Sequence, residues 1–187
     1  MPADATVPDL KARLDFLLSE VSPGERVLDL GCGDGRFTEA LARAGSQPVG
    51  VEVAEAARGR ASGRHPGLDF RLAPIEGPLP LEDNSFDVVW ASEVVEHVAD
   101  TARWLSEVRR VLVPGGRLLL TTPDHGRLRI ALGGIERFSP PLGDHLHLYT
   151  RRSLQDLLLE FGFGELWFAR AGGPPLLRRA LFARAIR

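Results

Sequence analysis

At 187 residues, with 44% apolar and 26% charged side chains, the chain has the composition of one soluble globular domain with a real core and leaves no room for two independent ones. A formal net charge of −2 withholds the broad positive field on which non-specific nucleic-acid binding draws, so nucleic acid is disfavoured as a partner. The single cysteine, Cys32, excludes an intramolecular disulfide and a structural zinc cluster of thiolates and fits a cytoplasmic setting, while acids throughout Met1 to Val21 argue against a secretory leader and no window is apolar for long enough to span a membrane.

Leu10, Leu14, Leu17, Leu18 and Val21 recur at helical spacing, and Ser22-Pro23-Gly24 break the pattern before the apolar run Val27 to Leu30. This predicts helix, turn and strand. Beyond Gly35, the residues Phe37, Ala40, Leu41 and Ala44 form a helical face, and Gly45 suits a left-handed C-cap. A strand is expected at Pro48 to Val53, a helix over Ala54 to Ser62, a short strand at Asp69 to Leu72, and a strand buried on both faces at Phe86 to Ala91. Asp100 reads as the N-cap of a helix carrying Trp104, Leu105, Val108, Val111 and Leu112, closed by Pro114-Gly115-Gly116 and followed by a strand at Arg117 to Thr122.

Residues 123–149 are rich in Gly, Pro and His without a period, and a loop that long in a compact domain usually serves function or moves. Thr150 opens another helix with Leu154, Leu157, Leu158 and Phe161 on its face, Gly162 ends it, and a strand is expected at Glu165 to Ala169. In the tail, Arg178, Arg179, Arg184 and Arg187 scatter around a helical axis at 100° per residue instead of sharing a membrane-facing side. A short packed helix or a frayed end is the expectation there. The alternation of strand and helix predicts an α/β, Rossmann-like doubly wound fold, a mostly parallel sheet with helices on both faces.

The strongest chemical signal is the run VLDLGCGDG from Val27 to Gly35, a strand passing through a glycine-rich turn into a helix. Gly31 and Gly33, lacking Cβ, let a ligand approach the backbone and adopt torsions denied to other residues. The dinucleotide fingerprint G-x-G-x-x-G is the nearest competitor, but Arg36 stands where its third glycine belongs, and Asp29 and Asp34 would repel a pyrophosphate. A ligand bearing an ammonium and a sulfonium would be attracted by those acids. Glu52, at the end of the second strand and about 20 residues after the first glycine, occupies the place from which an acid accepts both ribose hydroxyls, its alternative being a solvated loop acid.

The stretch from Val27 to Phe163 resembles the methyltransferase type 11 group of class I S-adenosylmethionine-dependent methyltransferases. VLDLGCGDG resembles the first motif, LPLEDNSFDVVWASEVVEHV (Leu79 to Val98) the fourth-strand motif, VLVPGGRLLLTTP (Val111 to Pro123) the fifth-strand motif, and HLHLYTRRSLQDLLLEFGF (His145 to Phe163) the late helix. The resemblance implies S-adenosyl-L-methionine as cofactor, with Asp29, Gly31, Cys32 and Gly33 about its methionine end, Asp29 orienting the ammonium, and Glu52 on the ribose. Adenine is expected between Val53 and the loop Ala73 to Glu76. Pro74 stands where relatives often carry an aspartate, which leaves backbone groups around Ile75 or the Glu76 carboxylate to serve the adenine amine.

The resemblance further places Ala91 and Ser92 against the cofactor, with Glu93, Glu96 and His97 beside the methyl-transfer position. His97 is the candidate catalytic residue, since imidazole suits general-base work near neutral pH, although relatives often carry histidine here only to line the pocket. Glu93, His125, His145 and His147 are substrate-side candidates, but His145 and His147 alternate in an apolar-polar run that a half-solvated strand explains as well. No spacing matches a strong metal motif, so no metal is expected. The implied division is a single methyltransferase domain over 1–187, comprising an N-terminal helix (1–24), a cofactor-binding core (25–122), an acceptor-side loop (123–149), a late helix and strand (150–170) and a tail (171–187). Its implied reaction is direct methyl transfer to a small-molecule acceptor, the alternatives being a non-catalytic cofactor-binding module that regulates a partner and a nicotinamide oxidoreductase. The oligomeric state is not encoded in any of these motifs.

Overall fold

The elements in chain order are α1 (Leu10–Glu20), β1 (Arg26–Leu30), α2 (Arg36–Arg43), β2 (Gln47–Glu52), α3 (Glu55–Arg64), β3 (Asp69–Leu72), β4 (Phe86–Ser92), a 3-10 turn (Val95–His97), α4 (Thr101–Val111), β5 (Leu112–Pro123), α5 (Arg151–Glu160), β6 (Gly164–Ala171) and β7 (Ala180–Ile186). They come from a computed structural model that describes residues 9–74, 77–126, 145–172 and 180–187. Local chemistry sets several boundaries. The Asp100 carboxylate caps α4 by accepting from the Arg103 amide, and Thr150 and Ser153 exchange side-chain and backbone bonds in a capping box that starts α5.

The seven strands form one sheet in the order β3-β2-β1-β4-β5-β7-β6. Strands β1 to β5 pair in parallel, and β7 runs antiparallel between β5 and β6. The chain winds outward from β1 through β2 and β3 on one side, then returns to β4 and β5 on the other. A doubly wound sheet opens a crevice at such a switch, beyond the carboxyl ends of β1 and β4.

Alternation along the strands divides the core. On one face Phe16 and Leu17 of α1 and Leu41 of α2 pack with Val27, Val88, Trp90, Leu119 and Phe182. On the other, Leu105, Val108 and Val111 of α4 and Leu154 and Leu158 of α5 cover Leu28, Val89, Leu118, Leu120 and Leu181. Among the described residues, no helix is long and apolar enough to cross a membrane.

Two expectations are corrected. Residues 180–186 of the tail form β7, not a helix or frayed end, and all seven of its described pairings with β5 run from Arg117↔Ile186 to Pro123↔Ala180. Read with a period of two, Leu181, Ala183 and Ala185 enter one core and Ala180 and Phe182 the other, so every second small residue fills a sheet face that a helix would have left half exposed. His145 to His147, for their part, belong to no strand: residues 145–150 run irregularly, tied by the His125 amide to the Tyr149 carbonyl at 2.9 Å. Most of the acceptor-side loop, 127–144, lies outside the described residues.

Candidate active site

The turn after β1 is held by backbone geometry. The amides of Gly31 and Cys32 both donate to the Val51 carbonyl, at 2.8 and 3.0 Å, which clips the turn to the end of β2. Gly31 has φ +80° and Gly33 φ +58°, both left-handed. A Cβ at Gly31 would stand 2.6 Å from Val94 Cγ2, whereas one at Gly33 would meet no protein atom within 4 Å. Gly31 therefore answers a close approach within the protein, and Gly33 leaves open space.

Glu52 closes this corner. Its Oε2 accepts from the Gly33 amide at 2.9 Å, and its Oε1 from the Val53 and Ala54 amides at 2.8 and 3.1 Å. A carboxylate offers about four acceptor sites. Three are occupied, so a vicinal diol arriving at Glu52 must displace at least one amide.

Asp29 and Cys32 turn away from the crevice. Asp29 is buried, and its Oδ2 accepts from Thr38 Oγ1 of α2 at 2.6 Å; burial, resisted by that hydrogen bond, pushes its carboxyl up to about 7. Cys32 packs with Ala61 and Phe70, and burial raises its thiol far above the range of a reactive thiolate.

Beyond β4 and β5 the site is built from charged side chains instead. Arg13, reaching over from α1 and only 4% exposed, donates to Ser92 Oγ at 3.2 Å and pairs with Glu93 at 3.1 Å. Thr121 donates to the other Glu93 oxygen at 3.2 Å, and burial raises the Glu93 carboxyl while the Arg13 charge lowers it. Glu93 itself has φ +55°, a left-handed conformation held by its amide bond to the Thr121 carbonyl at 2.9 Å. Glu96 is fully buried; its Oε2 accepts from Thr122 Oγ1 at 3.0 Å, and its carbonyl accepts from the Leu146 and His147 amides at 2.7 and 3.1 Å. Burial, reinforced by the Glu93 charge, pushes the Glu96 carboxyl up to about 8.

These contacts bring the histidines together. The His97 and His145 rings stand 4.8 Å apart at 78°, and His125, buried behind them, lies 6.3 Å from His145. His147 turns aside to Tyr149, at 5.9 Å between rings.

A cavity of about 590 Å³ joins the two regions, lined at one end by Gly31, Glu52, Val53 and Pro74 and at the other by Glu93, Val94 and His97, with Arg103 and Trp104 of α4 along its wall. Its lining leaves out Asp29, Cys32, Gly33, Ala91, Ser92, His125, His145 and His147. Ile75 and Glu76 lie outside the described residues. Arg13 and the burial of Glu96 escaped the sequence reading. For Arg13 a signal existed: Arg13, Phe16 and Leu17 share an i, i+3, i+4 face, and these are the residues that α1 buries.

The model of the methyltransferase domain family matches residues 28–120. The chain is 41% identical over 115 residues to a ubiquinone biosynthesis O-methyltransferase of Hahella chejuensis, covering 59% of this chain and 48% of that protein. It is 34% identical over 144 residues to one of Xanthomonas campestris pv. campestris, covering 73% and 60%. The chain thus spans about half the length of the curated relatives it matches. Among solved structures, an S-adenosylmethionine-dependent methyltransferase of Mesorhizobium loti superposes with a TM-score of 0.74 at 23% identity, covering 94% of this chain and 96% of its own. A phosphoethanolamine N-methyltransferase of Haemonchus contortus in complex with S-adenosyl-L-methionine superposes with the same TM-score of 0.74 at 18% identity, covering 95% and 52%.

Proposed function

Because the chain belongs to the S-adenosylmethionine-dependent methyltransferases, we propose that it moves the cofactor's methyl group onto an oxygen of a small organic acceptor. The observation that carries this reading is one continuous cavity that runs from Glu52, at the end of β2, to Glu93 and His97, beyond β4. The fit to the cofactor rests on Gly33, whose missing Cβ leaves open space, and on Glu52, a carboxylate fixed by amides at the height of that turn. Glu52 accepts from the ribose hydroxyls, Gly33 admits the methionine end to the backbone, and Val53 and Pro74 flank the adenine.

Bound S-adenosylmethionine supplies a methyl already activated on sulfur, so what the protein must add is alignment. The acceptor hydroxyl loses its proton, its oxygen bonds the methyl carbon, and the carbon–sulfur bond breaks with its electron pair going to sulfur, leaving S-adenosylhomocysteine. Glu93 is held against Arg13 and Thr121 and gives the acceptor end a fixed polar wall, while His97 faces the cavity where it can activate the hydroxyl. An oxygen acceptor is supported by the O-methyltransferase names of both curated relatives, and a small one by the cavity's volume of about 590 Å³.

Titration calorimetry with S-adenosylhomocysteine and with NAD, followed by turnover with a panel of hydroxylated aromatic and aliphatic acceptors, tests the proposal. Binding of the first ligand alone, with S-adenosylhomocysteine formed from at least one acceptor, is the expected result. Binding of NAD in its place would overturn the cofactor assignment. Cofactor binding without turnover of any acceptor would turn the reading toward a regulatory binding module.

A further inference from the structure

We infer that Asp100 and Arg103, at the start of α4, read the edge of the cofactor's adenine and set the protein's preference for that base. The inference rests on the methyltransferase reading and on the departure at Pro74, whose ring offers the adenine amine no acceptor. An exocyclic amine that leaves water needs a new acceptor.

Four carboxylates line the cavity, those of Glu52, Glu93, Asp100 and Glu107. Three are committed. Glu52 holds three amides, and Glu93 is taken by Arg13 and Thr121. Glu107 accepts from the Leu79 amide at 2.7 Å through Oε2, and from Arg110 at 2.9 Å through Oε1 and at 2.8 Å through Oε2. Asp100 is different: its Oδ1 accepts from the Arg103 amide at 2.9 Å, and among the described residues its Oδ2 accepts from none.

The fold brings this oxygen to the adenine side. Asp100, Arg103 and Glu107 stand at i, i+3 and i+7 and all line the cavity, so they share one face at the start of α4. The Glu107 bond to Leu79, with the Arg110 bonds to the Leu79 and Leu81 carbonyls at 3.2 and 2.8 Å, straps α4 to the connection between β3 and β4. Pro74, Gly77 and Leu79 of that connection line the same cavity, together with Val53. The Arg103 guanidinium is exposed on the same wall and donates no hydrogen bond to any described residue.

Adenine presents a donor amine beside an acceptor ring nitrogen, so a carboxylate oxygen next to a guanidinium matches it, acceptor to donor and donor to acceptor. Hypoxanthine carries a carbonyl oxygen in place of the amine and would set two acceptors against each other at Asp100. One carboxylate thus serves two ends: Oδ1 caps the helix, and Oδ2 selects the base.

Titration calorimetry on the full chain, comparing S-adenosylhomocysteine with S-inosylhomocysteine, tests the assignment, because the two ligands differ only in the base. The wild type should bind the adenine ligand at least about tenfold more tightly. Asp100→Asn keeps the cap, since asparagine caps a helix about as well as aspartate, but can turn a donor toward the cavity; its preference should shrink to about twofold or reverse. Arg103→Met should weaken S-adenosylhomocysteine about fivefold, and thermal melts report whether each variant folds. An undiminished preference in folded Asp100→Asn, or wild-type affinity in Arg103→Met, would overturn the assignment. So would a preference that collapses in Glu76→Gln but not in Asp100→Asn, which would return the amine to the connection after β3. If the wild type bound both ligands equally, the base assignment alone would fall. If it bound neither, the methyltransferase reading would fall and take the assignment with it.

Discussion

The two ends of the cavity are made in different ways. Beyond β1 and β2, geometry is fixed by amides: three N–H groups on Glu52 and two on the Val51 carbonyl define the corner. Beyond β4 and β5, geometry is fixed by side chains drawn from distant parts of the chain, with Arg13, Glu93, Thr121, Glu96 and three histidines meeting there. The first construction suits a ligand that is always the same, because a backbone presents an unvarying outline. The second suits chemistry and choice of acceptor, because each side chain can be exchanged without rebuilding the turn.

The largest effect expected from this contrast falls on the amide-built end. Gly33→Val places a branched side chain at φ +58° in the open space beside the turn and should abolish detectable S-adenosylhomocysteine binding in calorimetry. Retained affinity would mean that the methionine end lies elsewhere. Next, Glu52→Ala should cost on the order of 2–4 kcal/mol of cofactor affinity, because charge-assisted bonds to the ribose are lost and three amides are released. Glu52→Gln, which keeps one acceptor oxygen, should lose about half as much. If both variants bind like the wild type, Glu52 is not the ribose acid.

Smaller effects separate the two ends. His97→Ala should lower turnover by roughly 10- to 100-fold while changing the affinity for S-adenosylhomocysteine less than twofold, a division that kcat and calorimetry resolve. The opposite division would move His97 to the cofactor end. Arg13→Met should reduce thermal stability by about 2 kcal/mol because it leaves Glu93 half-buried beside Glu96 without its cation, and adding Glu93→Gln should restore most of that loss.

Asp29 gives a signal spread over pH. Its folded-state carboxyl titrates at about 7 against 3.8 for the free side chain, so between these values the folded protein keeps a proton that the unfolded chain has lost. Stability contributed by that group is full below about pH 4 and falls as pH rises, by at most about 1.4 kcal/mol per pH unit, levelling off above about 7. Asp29→Asn should flatten this limb in chemical denaturation from pH 5 to 8. An unchanged slope would show that Asp29 is ionised in the folded protein throughout.

What was legible in the sequence follows the same division. The amide-built corner lies in one contiguous run, Val27 to Gly35, plus Glu52 at the next strand's end, and strand-turn-helix patterning with a fixed offset exposes both. The side-chain end has no such run. Glu96 and His97 are neighbours, but His145 reaches them only because Glu96 captures the backbone of 146–147, a bond invisible to spacing rules. Arg13 was hidden because the expected apolar face was drawn through Leu10, Leu14, Leu17, Leu18 and Val21, of which α1 buries only Leu17, together with Arg13 and Phe16. β7 was missed for a related reason: alanine carries almost no period of its own, and the arginines of the tail drew a helical test to a segment whose partner strand lies roughly sixty positions earlier.

That last strand also constrains how the molecule assembles. Strands β1 to β5 are joined by local crossovers and can collapse in sequence order, but β5 then ends the sheet with Leu118, Leu119 and Leu120 beside a row of unpaired amides and carbonyls. Among the described strands β7, itself paired with β6, closes that row, in the register Leu118↔Ala185 and Leu120↔Ala183. A partly folded chain therefore presents a sticky apolar edge until its final strand arrives, making this the stage at which the protein is most exposed to intermolecular pairing and at which a chaperone would have most to shield.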